Sequence, residues 1–357
     1  MRILHLIRCK TWGGGERYAL DLCERSAEEG HDVTVVSRGI PHMDAHFSHL
    51  PVEMVKMPLG GFFDTSSPRA LARLIKSYPE DRVVVHVHNF KDAEIAARAK
   101  RLLPKGKRMW LVCTRHLIKP AKRSLRWKWI YKAIDRIIFI SQLALDEFLA
   151  SDPPIDRNKI SIVHNSVIIP PSPLSAHDEH DGINILFTGR IAPEKGVDIL
   201  IKSLAYLSDL PLRLRITGTG NEEYVAYLKR LADESGMAES IAWHGFVPDV
   251  FKEIAEADIC VAPSTWREPF GLTIIEFMSQ SRPVISTNNG AQSEIITDGK
   301  DGLLVPPSDA EALAKAIRRF AEDAALRKRI GEEALNTFRT RFAYDIFFRK
   351  ILSLYTS

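Results

Sequence analysis

Arg267-Glu268-Pro269-Phe270-Gly271-Leu272-Thr273-Ile274-Ile275-Glu276 is the stretch around which the chain is organised. Pro269 lacks a backbone N–H and biases the residue before it towards an extended conformation, which puts Glu268 in a loop. Phe270, Gly271 and Leu272 then offer backbone N–H groups where a helix begins, predicted over Leu272 to Gln280. A helix start carries unsatisfied donors and a partial positive charge, and it suits an anion such as phosphate. Glu276 lies one turn inside that helix, away from Glu268. Two carboxylates flanking an anion site read as hydroxyl acceptors around a phosphorylated sugar. The residues alone leave a second reading open, in which Glu268 caps the helix and Glu276 faces water.

Working outward, Ile259–Ala262 upstream and Pro283–Thr287 and Gly302–Val305 downstream are short apolar runs with strand character. Before them come strand Ile183–Thr188, the loop Gly189-Arg190-Ile191-Ala192-Pro193-Glu194-Lys195-Gly196 and a helix from Val197. Strand Leu212–Thr217 with Gly218-Thr219-Gly220, and strand Ile241–His244 with Gly245-Phe246, follow the same rhythm. Strand, loop, helix, strand is a right-handed crossover that builds a parallel sheet, with ligand loops at the C-terminal strand ends. Arg190 and Lys195, five apart around one such loop, are positioned to send two cations into one site, or to face solvent.

The first half repeats the pattern. Ile3–Ile7 leads into Trp12-Gly13-Gly14-Gly15, a helix opened by Glu16, and strand Val33–Val36. The triple glycine fits neither a dinucleotide fingerprint nor a P-loop. It stays open as a phosphate or sugar loop or as a tight turn needing positive φ. Val83–His88 is a strand on which His86 and His88 share one face. Met109–Thr114 is another, delivering Arg115 and His116 to the same rim. Strand-end histidines are structural or line a polar cleft, and two at one rim favour the cleft. The proline-rich, aperiodic segment 171–182 reads as a hinge linker between domain 1–170 and domain 183–335, with a helical tail at 336–357 that packs back on the first domain.

Two domains suit a length of 357 residues, and 45% hydrophobic with 26% charged residues suits a globular chain. No stretch approaches a membrane span, and no signal peptide precedes the first strand. Cys9, Cys23, Cys113 and Cys260 have no paired spacing and read as free buried thiols in a reducing cytoplasm. Through Pro170 there are 28 Lys+Arg against 18 Asp+Glu, and beyond it 21 against 27, so the front half is suited to an anionic partner. Ile95 to Ile134 holds 13 of those cations and no carboxylate. Within it Ala121–Ile134 reads as a helix. Lys122, Arg123, Arg126, Trp127 and Trp129 there face an anionic membrane, or belong to an ordinary domain helix with core tryptophans. No nucleic-acid-binding module is visible.

Taken together these residues resemble the retaining family-4 glycosyltransferases (glycosyl transferases group 1). Gly189-Arg190 with Glu194-Lys195-Gly196 is similar to the family's G-R-x(4)-K-G element, and Glu268 to Glu276 to its E-x(7)-E signature. Gly290, Glu294, Gly299 and Gly302-Leu303-Leu304 are similar to the segment that follows. Gly14-Gly15-Glu16-Arg17 resembles the first-domain glycine loop, and His88 matches the active-site histidine. The resemblance implies an α/β GT-B fold, two facing Rossmann-like doubly wound domains with a cleft between them. It implies a metal-independent enzyme of the EC 2.4 class, without cofactor, that moves a sugar from a UDP- or GDP-sugar to a glycan or glycolipid acceptor. Lipopolysaccharide core or another surface polysaccharide, made at the cytoplasmic face of the membrane, is the expected product.

By the same resemblance His88, Arg190, Lys195 and Glu268 are catalytic. Arg190 and Lys195 neutralise the departing diphosphate, Glu268 binds donor-sugar hydroxyls and Glu276 the ribose. Gly14, Gly15, Gly189, Gly218, Phe246, Phe270, Gly271 and Leu272 complete the donor site. Arg115 and His116 mark the acceptor side, and Asn89-Phe90-Lys91 departs from the short residue often found after the family's histidine strand. A nucleotide-sugar epimerase on the same fold is the alternative.

Overall fold

The computed structural model describes residues 1–8, 11–60, 63–170 and 182–356. Cys9 and nearly all of the expected linker lie outside the described residues. The chain forms two compact units, Met1–Ser166 with Tyr344–Ser357, and Val167–Ala343. The expected bounds shift accordingly. Residues 167–170 go with the second unit, and the return to the first begins at Tyr344 rather than at 336. Residues 336–343 stay behind because Phe338 and Phe342 are buried there, Phe342 edge-on to Phe270 with centroids 5.9 Å apart.

The first unit is a seven-stranded parallel sheet. Its strands are β1 (Arg2–Ile7), β2 (Asp32–Ser37), β3 (Glu53–Lys56), β4 (Arg82–Val87), β5 (Arg108–Arg115), β6 (Arg136–Phe139) and β7 (Ile160–Ile162). Their order is β3-β2-β1-β4-β5-β6-β7. The central strands are apolar on both faces, as a sheet covered on both sides requires. Leu4, Leu6, Val85, Leu111 and Cys113 pack under helices Ser66–Ser77, Phe90–Lys100 and Leu125–Ala133. Ile3, Val84, Val112 and Ile138 face the other way, with Tyr18 of helix Gly14–Glu28 and Phe347, Ile351 and Tyr355 of helix Tyr344–Thr356. That last helix is anchored by polar contacts as well. Trp110 Nε1 donates to Leu354 O at 2.8 Å, and Arg82 to Tyr355 O at 2.7 Å.

The second unit is a six-stranded parallel sheet of β8 (Ile183–Thr188), β9 (Leu212–Thr217), β10 (Ile241–Gly245), β11 (Ile259–Ala262), β12 (Val284–Thr287) and β13 (Leu303–Val305). Its order is β10-β9-β8-β11-β12-β13. Both sheets therefore have the doubly wound Rossmann order. The winding direction reverses between β1 and β4 in the first and between β8 and β11 in the second. Loops leaving adjacent strands at such a point diverge, opening a crevice at the C-terminal strand ends where ligands bind. Among the described residues no helix is long and apolar enough to cross a membrane.

Candidate functional site

In the second unit the loops after β8 and β11 are joined at the reversal point. Gly196 has φ +70°, and a Cβ there would lie 2.0 Å from Pro263 O, so only glycine allows the two loops this close. Thr265 N donates to Glu194 O at 3.0 Å across the same seam. The approach brings Lys195 Nζ to within 2.5 Å of Glu268 Oε1, which also accepts from Ser264 Oγ at 2.7 Å. The backbone of Glu268 is fixed in turn, its O accepting from Ala291 N at 2.9 Å. Only 26% of the Lys195 side chain and 12% of the Glu268 side chain are exposed. The charge pair is thus sequestered, and both donors fall on Oε1.

Glu268 is not the helix cap. The N-cap of helix Leu272–Ser279 is Gly271, with φ +129° and no side-chain cap, a backbone that side-chain-bearing residues rarely adopt. The helix is one residue shorter than predicted, and its first N–H groups have no intrahelical acceptor. The Phe270 ring is core, so only the backbone of that residue can serve a ligand. Glu276 is half-buried within the helix.

Arg190 behaves differently from its predicted partner. It is exposed and turns back to Glu194, with Nη2 to Oε1 at 2.6 Å, a contact that their four-residue separation around the turn Pro193–Lys195 makes short. The structure therefore holds both cations in ion pairs, Lys195 with Glu268 and Arg190 with Glu194. Gly189 and Gly218 lie on the adjoining strand ends: Gly189 N donates to Thr217 O at 3.1 Å, and Gly218 N to Gly245 O at 2.6 Å. Phe246, just past β10, is 75% exposed. A cation, a carboxylate, a helix N-terminus and an open aromatic ring along one set of strand ends can together hold a diphosphate, hydroxyls and a flat base.

In the first unit the reversal point is lined by histidines. His5 on β1 lies opposite His86 on β4, and His88 follows two residues later on the same face. His5 Nδ1 and His88 Nε2 are 3.0 Å apart. His86 Nδ1 meets Tyr355 Oη at 2.6 Å, and its Nε2 meets Thr114 Oγ1 at 2.7 Å; Thr114 is in turn 3.1 Å from Tyr18 Oη. His116 joins the group edge-on to Tyr18, with centroids 4.8 Å apart. Burial pulls His5 down to about 3 and His116 to about 4. His86 and His88 are held well below the ordinary value, first by burial and then by neighbouring imidazoles, His5 foremost for His86 and His86 foremost for His88, so the rings are neutral at neutral pH. Ring nitrogens of His5, His86 and His88 lie within 4.8 Å of each other, a grouping with metal-ligand chemistry. His86 uses both of its nitrogens on hydroxyls and His5 Nδ1 faces His88 Nε2, which leaves His5 Nε2 and His88 Nδ1 as buried atoms with no hydrogen-bond partner among the described residues.

The glycine run is no positive-φ turn. Gly13 is the extended N-cap and Gly14 and Gly15 are the first helical residues, two before the predicted start. A Cβ on Gly15 would come 3.6 Å from the His116 ring, an ordinary van der Waals contact, so the start of this helix lies against the histidines without requiring glycine there. Arg115 departs from expectation. Strand alternation sends it to the face opposite Thr114 and His116. Its guanidinium lies over Phe90 and Phe148 at 4.8 and 5.0 Å and donates to the carbonyls of Lys119 and Pro120. His5, Tyr18, Thr114 and Tyr355 were not singled out from sequence. The parity of His5 with Ile3, aligned against β4, was the available signal for the first of them.

The basic helix is Leu125–Ala133, and 121–124 are not helical. Trp127 is 8% exposed and stacks on Phe90 at 5.6 Å, so it belongs to the core and not to a membrane-facing set. Arg126 pairs with Glu94, and Trp129 is half-buried with Arg101 over its ring at 5.6 Å. Lys122, Arg123, Lys128 and Lys132 are exposed, and the exposed apolar residue is Leu125, at 86%.

Residues 12–169 match the family described as Glycosyltransferase Family 4, and residues 175–337 match Glycosyl transferases group 1. The chain belongs to the family-4 glycosyltransferases. It is 34% identical over 164 residues to the lipopolysaccharide core biosynthesis mannosyltransferase LpcC of Rhizobium leguminosarum bv. viciae, covering 44% of this chain and 46% of that one. It thus spans less than half the length of that relative. Over 378 residues it is 24% identical to the lipopolysaccharide core biosynthesis glycosyltransferase LpsE of Rhizobium meliloti, covering 100% and 99%. The chain also has the fold of Anabaena Alr3699/HepE, solved in complex with UDP and glucose, with a TM-score of 0.80 at 20% identity over 100% of both chains.

Proposed function

We propose that this family-4 glycosyltransferase is a retaining enzyme that moves a sugar from a UDP- or GDP-sugar to a glycan or glycolipid acceptor of the cell envelope, such as lipopolysaccharide core. The observation that carries the reading is the Lys195–Glu268 pair with Ser264, built across the reversal point beside an uncapped helix start. The names of LpcC and LpsE support an envelope acceptor, and the UDP and glucose in the HepE complex support a UDP-sugar. Transferase names among the relatives favour transfer over epimerisation.

Transfer from a nucleotide-sugar is fastest when leaving-group charge is stabilised more in the transition state than before it. Lys195 supplies a fixed cation for that charge. Arg190, exposed, exchanges Glu194 for phosphate oxygens when the donor arrives. The N–H groups at Gly271 and Leu272 add preorganised donors, so the site needs no metal ion to neutralise the diphosphate. Glu268 takes sugar hydroxyls and Glu276 those of the ribose, while Phe246 stacks on the base. With retention, the incoming hydroxyl attacks from the face that the diphosphate leaves, and the phosphate takes its proton. Glu268 then positions the sugar and is not a nucleophile. His88 and His116 contact the sugar or the acceptor.

Peripheral attachment to the inner face of the membrane fits exposed Leu125 among Lys122, Arg123, Lys128 and Lys132. A thermal-shift screen of UDP, GDP and their sugars against wild type and Lys195→Ala tests the donor assignment. Stabilisation by one nucleotide family in wild type, reduced in the variant, is expected; stabilisation equal in both removes Lys195 from the donor site.

A further inference from the structure

We infer that a cavity of about 330 Å³ in the first unit takes the phosphomonoester headgroup of a membrane lipid. The inference rests on the membrane reading of helix Leu125–Ala133 only for where the ligand comes from. The anion site follows from the cavity itself.

The cavity is lined from helices Ser66–Ser77, Phe90–Lys100 and Leu125–Ala133, and it shares no residue with the histidine-lined reversal point. Helix Phe90–Lys100 starts beside that point, and its far end lies roughly 16 Å along the axis. Three guanidiniums line the cavity, those of Arg69, Arg98 and Arg101, and no carboxylate does. Arg98 is fixed by donating to Asp64 O at 2.7 Å. Arg101 lies over the Trp129 ring at 5.6 Å, and Arg69 reaches Thr65 O at 3.4 Å. Neither Arg69 nor Arg101 has an ion pair among the described residues. The carboxylate of neighbouring Asp64 is committed to its own loop, accepting from the N–H groups of Gly60, Ser66 and Ser67. Arg69 also falls in the first turn of helix Ser66–Ser77, which carries no acid, and there the helix dipole opposes a cation. Like charges held around one cavity repel until an anion enters, and guanidinium forks match phosphate oxygens two at a time.

The rim points to a lipid as the source of that phosphate. Leu102 on the wall is exposed, and so is Phe63, two residues before Thr65. Trp129, also on the wall, stands four residues from Leu125, so the two are neighbours on one helix face. The cavity thus adjoins the exposed leucine and lysines of the membrane-facing set. A free phosphate would use the cations alone, whereas an amphiphile uses the cations and the apolar rim. A phosphomonoester brings close to two charges and three free oxygens, more than a phosphodiester offers to three guanidiniums. The volume is at the small end for ligand sites, as a headgroup requires.

Calorimetric titration of the full chain with dihexanoyl phosphatidic acid, dihexanoyl phosphatidylglycerol and inorganic phosphate tests the site without a bilayer. Phosphatidic acid should bind tightest. Arg69→Gln with Arg101→Gln should weaken it about tenfold, the size expected for two exposed charge contacts. Tm of the ligand-free variant should stay at the wild-type value, because both side chains are exposed and Arg98 is kept. Phosphatidylglycerol bound as well as phosphatidic acid by the wild type overturns the inference whatever the variant does. So does inorganic phosphate bound as well as the lipid, or an affinity unchanged in the double variant. Co-sedimentation with phosphatidylcholine vesicles containing phosphatidic acid reads the membrane assignment separately. No sedimentation, with the preference for phosphatidic acid intact in solution, would sink the membrane reading and support the headgroup site.

Discussion

Replacing Lys195 with alanine separates a structural ion pair from a catalytic one. The variant leaves Glu268, whose side chain is only 12% exposed, with Ser264 as its remaining side-chain donor. Breaking a fully buried pair costs about 3–5 kcal/mol. Lys195 is 26% exposed, so solvent softens the loss, and ~1–3 kcal/mol is expected. For a unit of this size each kcal/mol lowers Tm by about 2–4 °C, giving a fall of roughly 2–12 °C in scanning calorimetry. Glu268→Gln should cost less, because it leaves behind the more exposed partner, which can hydrate. Activity should move further than stability. Removing one preorganised group that stabilises developing charge lowers kcat by about 10²–10³. If Lys195 acts on leaving-group charge, kcat falls and KM for the donor changes little. Glu268→Gln should instead raise KM as well, since it weakens ground-state hydroxyl binding. The assay is steady-state nucleotide release at a temperature well below both Tm values. A Lys195→Ala enzyme with kcat/KM within about threefold of wild type, but with the expected fall in Tm, would reduce the pair to a structural clasp and refute the reasoning.

Three further outcomes follow from the first unit. His5 is pulled down to about 3, so as pH falls below about 6.5 the unfolded chain takes a proton that the folded chain refuses, and stability drops. Between pH 7 and 5.5 wild type should lose about 1 kcal/mol more than His5→Phe in denaturant titrations. Asp21 and Asp92, pushed up to about 6 and about 7 by burial, tilt the wild-type curve the other way, so only the difference between the two proteins reports on His5; parallel curves would contradict it. Tyr355→Phe strands His86 Nδ1 and should cost about 1–3 kcal/mol, and an unchanged Tm would show that the terminal helix is not held there. Leu125→Ser with Lys128→Glu should reduce sedimentation with anionic vesicles without lowering Tm; binding equal to wild type would remove the membrane assignment.

Most strands were legible because each is a short apolar run bounded by glycine or a polar turn. Ile183–Thr188, Leu212–Thr217 and Ile259–Ala262 fall where periodicity puts them. Glu53–Lys56 escaped because an edge strand with charged ends has little apolar signal. Helices Ala310–Glu322 and Ala324–Thr337 were left unread although their alanine-rich sequences favour helix. At the site, Glu268 and Lys195 were visible as a loop carboxylate and a loop cation, but their direct pairing depends on Gly196 bringing two loops together, which spacing along the chain does not encode. Arg115 and His116 were grouped because they are adjacent, whereas strand alternation sends adjacent residues to opposite faces. Trp127 looked interfacial beside lysines, but its contact with Phe90, 37 positions earlier, is long-range. Tyr355 closes the His86 network from the far end of the chain, where local patterns carry no trace of it.

The central claim meets its most direct test in the product. The purified chain is incubated with UDP- and GDP-sugars and an envelope glycolipid extract, and the acceptor is followed by mass spectrometry while released nucleotide is measured. One glycosyl residue gained per nucleoside diphosphate released, dependent on acceptor and abolished in Lys195→Ala, is the expected result. Donor left unchanged across the panel, or converted to an epimer without acceptor, would contradict it.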